Sequence, residues 1–530
     1  MSKYIFVTGG VVSGVGKCVT TASLGRLLIE RGLRVTLRKF DPYENLEKGN
    51  INPLQFGEVF VTADGHEDSL TLGKYERFLD IDLNKNSCYT TGEITNRVIE
   101  KNNRGEYSAS VIQQVPHITS EIKKILREAD NEKTDIVLVD IGGTVGDMET
   151  GVYLEAIRQF EREIKDENYI HIHITYAPYL NCSGDVKTKP TQHSVKELMS
   201  YGLNPDVIIC RTEKNVEFNE QKRKKLAMYC NLLDSNHVIH IPDCQSIYEV
   251  PIVMANEKLD ILTCSKLGVE VSKLNLSIWQ EMVDTMYEDL PIINIAIVGK
   301  YTEITNSYIS VSEAVRHASF KNKYRAKITI ISSEDLEVVG AKDMLKDYDG
   351  VIVGGGFGKS GINGKIMTAE YCRENKIPYL GLSLGMEVAV IEFARNVANL
   401  KDAHSTEFNE NTQYPVIHIG NGEIRLGNYN VNFVEGTLAR RLYGRPHMQE
   451  RHRNAYEFNN EYKETFEKLG MVFSGFNDDN SLVETIEYID HPFFMGTIYQ
   501  PEFTSRPYRP HPIFVGFITG VISSFRKPKI

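Results

Sequence analysis

A strand-like run, Tyr4-Ile5-Phe6-Val7-Thr8, breaks into Gly9-Gly10-Val11-Val12-Ser13-Gly14-Val15-Gly16-Lys17 and then into a pattern that sets Leu24, Leu27 and Leu28 on one helical face before Gly32. Arg34-Val35-Thr36-Leu37-Arg38-Lys39-Phe40 follows as a second strand, so residues 4–40 predict a βαβ unit. Such a unit needs a larger parallel sheet with helices on its faces. The glycines let successive backbone N–H groups turn onto an anion, the helix points its positive end there, and Lys17 reaches the outer phosphates. The loop departs from the usual pattern: Val11 stands where a glycine is customary, and Cys18 replaces the hydroxyl that ordinarily meets a metal.

A chain of 530 residues is too long for one core. Its net charge of -11 argues against a nucleic-acid-binding surface, and no uninterrupted apolar stretch is long enough for a membrane span. Met1-Ser2-Lys3 runs directly into the first strand, which predicts no secretory leader, and eight scattered cysteines without a CxxC pair predict reduced thiols in the cytoplasm.

Further strands are expected at 135–141, 169–175, 207–210 and 238–241, alternating with helices, which implies a doubly wound sheet. Asp140 sits at the carboxyl end of a buried strand, where such sheets hold ligands, and is the stronger metal candidate. The acidic stretch with Glu67 and Asp68 suits Mg²⁺ or a solvated loop equally. Lys187-Thr188-Lys189-Pro190-Thr191-Gln192-His193-Ser194 reads as a phosphate-binding cluster or as an exposed turn that caps a helix, and on these residues alone the turn is favoured. Residues 271–291, with the single tryptophan Trp279, read as a linker. A fresh α/β pattern follows at 292–298, 328–331 and 351–353 and reaches Tyr379-Leu380-Gly381-Leu382-Ser383-Leu384-Gly385, where a residue between strand and helix is flanked by glycines as at a nucleophile elbow.

The chain resembles CTP synthase from its first strand to Phe525. The runs that carry this are residues 6–13, Gly57-Glu58-Val59-Phe60-Val61-Thr62, Tyr75-Glu76-Arg77-Phe78, Ile141-Gly142-Gly143-Thr144-Val145-Gly146-Asp147, 187–195, Ser405-Thr406-Glu407-Phe408 and Pro501-Glu502-Phe503-Thr504-Ser505. The resemblance implies an α/β chain of two doubly wound, mainly parallel-sheet domains: a P-loop-like amidoligase at 1–270, a linker at 271–291 and a flavodoxin-like class I glutamine amidotransferase at 292–530. In that family glutamine is hydrolysed in the second domain and ammonia passes to the first, where ATP phosphorylates O4 of UTP and ammonia displaces phosphate to give CTP. By resemblance Ser13, Gly14, Val15, Gly16, Lys17 and Lys39 hold ATP, while Asp147, Glu149, Lys187, Lys189, Gln192 and Lys225 hold UTP or CTP, which overrides the turn reading of 187–194. Mg²⁺ as cofactor, a homotetramer and a cytoplasmic location are implied in the same way.

Several positions depart from the family. Its nucleophilic cysteine falls at Ser383 and its general-base histidine at Gln500, so of the triad only Glu502 remains. A serine hydroxyl is not ionised near neutral pH without a base, and an amide is no base. Gly355, Gly356 and Leu384 keep the former oxyanion hole and Glu407 its place in the former glutamine site, but a family glutamine is Glu387 and the arginine that grips the glutamine carboxylate is Ala455. In the first domain one metal carboxylate aligns with Thr71, the other is Asp140 in place of Glu, and a histidine is Phe56; Asp68 or Glu67 is a substitute ligand. The expected function is ATP-dependent amination of UTP with free ammonia, without glutaminase activity and without a purpose for GTP activation. The alternatives are an impaired paralogue that binds UTP or CTP and regulates or co-assembles with an active enzyme, and an amidoligase with a changed acceptor.

Overall fold

The computed structural model describes residues 2–46, 57–107, 110–131, 133–300, 302, 304, 306–356, 358–420, 422 and 424–525, so Phe56 lies outside the described residues. The chain divides into two compact units, the first formed by Met1–Lys48 with Lys74–Val283 and the second by Gly49–Gly73 with Asp284–Ile530. Among the described residues no helix is long and apolar enough to cross a membrane.

The first unit is built on strands β1 (Lys3–Gly9), β2 (Val35–Asp41), β3 (Cys88–Thr90), β4 (Ile136–Ile141), β5 (Tyr169–Tyr176), β6 (Val207–Thr212) and β7 (Val238–Pro242). Their order is β7-β6-β5-β1-β4-β2-β3, with every pairing parallel. The central strands are covered on both faces, which is why they read as continuous apolar runs: Phe6, Val137, Leu138 and Val139 are fully buried. The chain passes from β4 across β1 to β5, so the order reverses between β4 and β1, and the crevice beyond their carboxyl ends is the expected ligand position. Helix α1 (Lys17–Glu30) buries Leu24, Leu27 and Leu28 against this sheet. Gly25 makes the close approach: a Cβ there would stand 2.5 Å from Leu79 and 2.7 Å from Leu138.

The segment expected as a linker contains a helix, Ser277–Tyr287, that carries Trp279. The indole is 2% exposed and donates from Nε1 to the Tyr248 carbonyl at 2.7 Å, which anchors this segment in the first unit as far as Val283.

The second unit has strands β8 (Ile292–Gly299), β9 (Arg325–Ser332), β10 (Gly350–Val353), β11 (Tyr379–Leu382), β12 (Arg425–Phe433), β13 (His447–Asn454), β14 (Met471–Phe476), β15 (Val483–Tyr488) and β16 (Phe494–Thr497). The order is β9-β8-β10-β11-β16-β15-β14-β12-β13. The half from β9 to β16 is parallel, and from β16 to β13 the pairings are antiparallel. A hairpin of Val59–Val61 with Glu67–Ser69 belongs to this unit. Its turn lies against β12, where Asn428 N donates to Ala63 O at 2.9 Å, and the Arg451 guanidinium donates to Val61 O at 2.5 Å.

Candidate functional site

The loop between β1 and α1 has Val11, Gly14 and Gly16 at φ of +77°, +75° and +94°, a chain of left-handed turns that only glycine adopts without strain. Gly16 stands at the N-cap of α1, and Lys17 folds back to donate from Nζ to Gly143 O at 2.5 Å. Val145 N donates to Gly9 O at 2.8 Å, so the loops after β1 and β4 are bound together. Arg211, which the sequence did not single out, donates from Nη1 to Val15 O at 3.1 Å while Nη2 pairs with Asp243 at 2.6 Å.

Lys39 on β2 lies in register with Asp140 on β4, and its Nζ pairs with Asp41. Asp140 is 2% exposed; its Oδ2 accepts from the Tyr75 hydroxyl at 2.5 Å, and its Oδ1 has no hydrogen-bond partner. Burial pushes its carboxyl up from the ordinary range, against the pull of Lys39 and Lys17. Burial likewise lowers Lys17, with Asp140 as the main opposing charge. A buried carboxylate with an unpartnered oxygen, beside Asp41, is a hard-oxygen donor set that fits Mg²⁺. Thr71 lies in α2 (Leu70–Leu79). Glu67 pairs with Arg453 at 2.6 Å, and Asp68 is 1% exposed with Oδ1 accepting from Ser69 N at 2.5 Å.

Asp147 and Glu149 are exposed on the loop after β4, which packs at Gly146 against Glu197 of α3 (Lys189–Ser200). Lys187, Lys189 and Gln192 gather at the head of α3. Lys187 lies 3.7 Å from Asp185, Gln192 donates to the Thr188 hydroxyl at 3.2 Å, and Lys189 Nζ stands 5.9 Å from the ring centre of Tyr229. Tyr229 ends α4 (Glu220–Tyr229), the helix that carries the exposed Lys225.

Beneath these loops runs a buried relay that sequence reasoning missed. Glu161 meets His171 Nδ1 at 3.0 Å, the Thr8 hydroxyl joins His171 at 3.0 Å and His173 at 2.9 Å, and His173 Nε2 reaches the Ser194 hydroxyl at 2.8 Å. Burial pushes the His173 imidazole down to about 3. The signal was a pair of histidines two residues apart in an otherwise apolar strand, a spacing that puts both on one face.

In the second unit Ser383 stands between β11 and α5 (Leu384–Asn396) at φ +53° and ψ −111°, a strained elbow that a residue other than glycine holds only under packing constraint. Both flanking glycines are sterically required. A Cβ at Gly381 would lie 2.5 Å from the Gly385 carbonyl carbon, and one at Gly385 2.1 Å from Val353 O. Gly355 and Gly356 follow β10, and a Cβ on Gly355 would touch the Ser383 Cβ at 3.7 Å. The Lys365 ammonium braces that turn from behind, donating to Gly354 O at 2.7 Å and Gly355 O at 3.2 Å.

Ser383, Gln500 and Glu502 line one pocket with Gly355, Gly356, Leu384, Glu387, Glu407 and Ala455, so the residues that the sequence resemblance assigned to a glutaminase centre are brought together. Gln500 donates from Nε2 to Arg453 O at 3.3 Å. Burial holds the carboxyls of Glu387 and Glu502 well above the ordinary carboxylate range, reinforced for Glu387 by Glu407 and Glu457 and for Glu502 by Glu58 and Glu450. Gln500 contributes an amide to this trio, and an amide is no general base.

Residues 3–269 match the family model described as CTP synthase N-terminus, and residues 303–519 the model described as Glutamine amidotransferase class-I. The chain is 48% identical over 526 residues to a CTP synthase of Ruminiclostridium cellulolyticum, covering 97% of this chain and 98% of that protein. It is 49% identical over 528 residues to one of Carboxydothermus hydrogenoformans, covering 98% of each. A solved glutaminase domain of a Trypanosoma brucei CTPS with bound acivicin aligns at 35% identity over 44% of this chain and 94% of that one, with a TM-score of 0.42.

Proposed function

This chain belongs to the CTP synthase family, and from that premise we propose that it aminates UTP to CTP at the expense of ATP, using free ammonia because its second unit does not hydrolyse glutamine. The observation that carries the reading is a contrast: Lys17, Lys39 and Asp140 lie within electrostatic reach of one another at the phosphate loop, whereas the Ser383 elbow has an amide where a base is needed.

Lys17, Lys39 and the backbone of 13–16 hold the ATP phosphates and neutralise charge as the γ-phosphoryl group moves to O4 of UTP. Lys187, Lys189, Gln192 and Lys225, with Asp147 and Glu149, hold the pyrimidine nucleotide. Ammonia then adds at C4, and phosphate leaves with the former O4. Asp140, with Asp41, would hold Mg²⁺, which when bound supplies charge neutralisation at the transferred phosphoryl group.

The test is UTP amination by one preparation given ammonium or glutamine in turn. CTP and ADP form in equal amounts with ammonium, and nothing forms with glutamine. CTP from glutamine overturns the silent glutaminase, and absence of CTP under both conditions overturns the ligase. A second reading, an impaired paralogue that binds UTP or CTP and acts on an active enzyme, draws support from Thr71 in place of a metal carboxylate. It gains if both nucleotides bind without ADP release. ATP turnover that responds to other acceptors but not to UTP marks a changed amidoligase. A homotetramer in the cytoplasm is part of the same proposal, and light scattering checks the assembly.

A further inference from the structure

The pocket at the Ser383 elbow carries an imbalance of hydrogen-bonding groups. Four carboxylates line it: Glu58, Glu387, Glu407 and Glu502. Glu387, Gln500, Glu502 and Asn454, also in its wall, are 5%, 7%, 7% and 3% exposed, and among the described residues each has one side-chain oxygen with no hydrogen-bond partner. A buried acceptor without a donor costs about 1–3 kcal/mol, so several in one wall favour a ligand rich in donors. The nearby cations are committed to protein groups: Arg453 to Glu67 at 2.6 Å, Lys365 to the carbonyls of Gly354 and Gly355, and Lys300 to that of Gly358. Position 455 of the lining is alanine, and Val59, Val311, Leu384 and Phe503 give the remaining wall an apolar surface.

We propose that this pocket binds a small primary alkylammonium ion that carries no carboxylate. An ammonium group presents three donors and one positive charge to the unpartnered oxygens, and a short alkyl chain covers the apolar wall. An amino acid would place its own carboxylate among four others. Burial raises the Glu387 and Glu502 carboxyls, and a cation arriving beside them favours their ionised forms, so binding is accompanied by proton release to solvent. The inference concerns binding only and stands apart from UTP amination.

The experiment is calorimetric titration of the full chain with n-butylamine in two amine-free buffers of different ionisation enthalpy, with ammonium chloride and glutamine as comparators. n-Butylammonium binds saturably, its apparent enthalpy differs between the buffers, and both comparators bind more weakly. Glu387→Gln weakens the amine by about tenfold or more, as expected when one partner of a buried charge pair is lost, and Ala455→Arg abolishes binding. No saturable binding of n-butylamine to the wild-type chain overturns the proposal whatever the variants do. Glutamine binding as tightly as the amine overturns it, as does ammonium binding as tightly, or affinity unchanged in both variants with circular dichroism intact.

Discussion

Tyr75 donates its phenolic hydrogen to one oxygen of Asp140 at 2.5 Å, and the other oxygen of that carboxylate has no partner. The tyrosine thus fixes which oxygen faces away from helix α2, and its hydrogen bond favours the ionised form of a carboxyl that burial pushes towards neutrality. In Tyr75→Phe the Asp140 carboxyl rises further, and the acid limb of ATP-dependent turnover moves to higher pH. The pH profile of ammonia-dependent CTP formation reads this shift, and loss of the hydrogen bond lowers stability by about 1–3 kcal/mol.

Restoring the nucleophile or the base alone leaves the glutaminase silent. Ser383→Cys supplies a thiol without a base and Gln500→His a base without a thiol, while Glu387 and Ala455 leave the amino acid ungripped in both. Ammonia release from glutamine stays at background in each single variant and in the pair. It rises only when Glu387→Gln and Ala455→Arg are added.

Glu387 sets a pH dependence of stability. Its folded-state carboxyl lies well above the ordinary value, so above about pH 4.3 the unfolded chain sheds this proton while the folded chain retains it. Stability is therefore lost as pH rises from there towards the folded-state value. Glu387→Gln removes the penalty: urea unfolding finds the variant more stable than wild type by about 1–3 kcal/mol at neutral to alkaline pH, with the gap closing towards pH 4.

Val11 is a β-branched residue at φ +77°. Val11→Gly relieves that strain and raises stability by about 1 kcal/mol, offset in part by the greater freedom of glycine in the unfolded chain. Thermal unfolding in the absence of nucleotide measures it.

The parallel strands were legible because burial on both faces leaves apolar runs such as 136–139, and the Ser383 elbow because its turn demands glycines on either side. The antiparallel half of the second sheet was not. Strand β13, His447–Asn454, reads as a polar, charged segment, yet Glu450, Arg451 and His452 are fully buried, with partners from elsewhere in the fold: Arg451 meets Asn428 and Val61, His452 meets Glu484, and Glu450 meets Tyr443 and His511 through Oε1. Hydropathy cannot see a polar strand whose partners are far away in sequence. The same limit hid Tyr75 behind Asp140, since the pair is joined across 65 positions of chain. The grouping of 49–73 with the second unit left no trace in composition, because a short hairpin is assigned by what it packs against.

The Ser194 hydroxyl occupies the space that a methyl group on Gly10 would fill, with only 1.9 Å between that imagined carbon and the oxygen. Residue 10 belongs to the loop proposed above to meet ATP, and Ser194 to the helix whose first turn is proposed to meet the pyrimidine nucleotide. With no slack between them, a shift of the loop as one nucleotide arrives is a shift of the helix that receives the other. Two ligands that share such a joint sense each other's occupancy, and whatever affinity the first lends to the second, the second must return to the first.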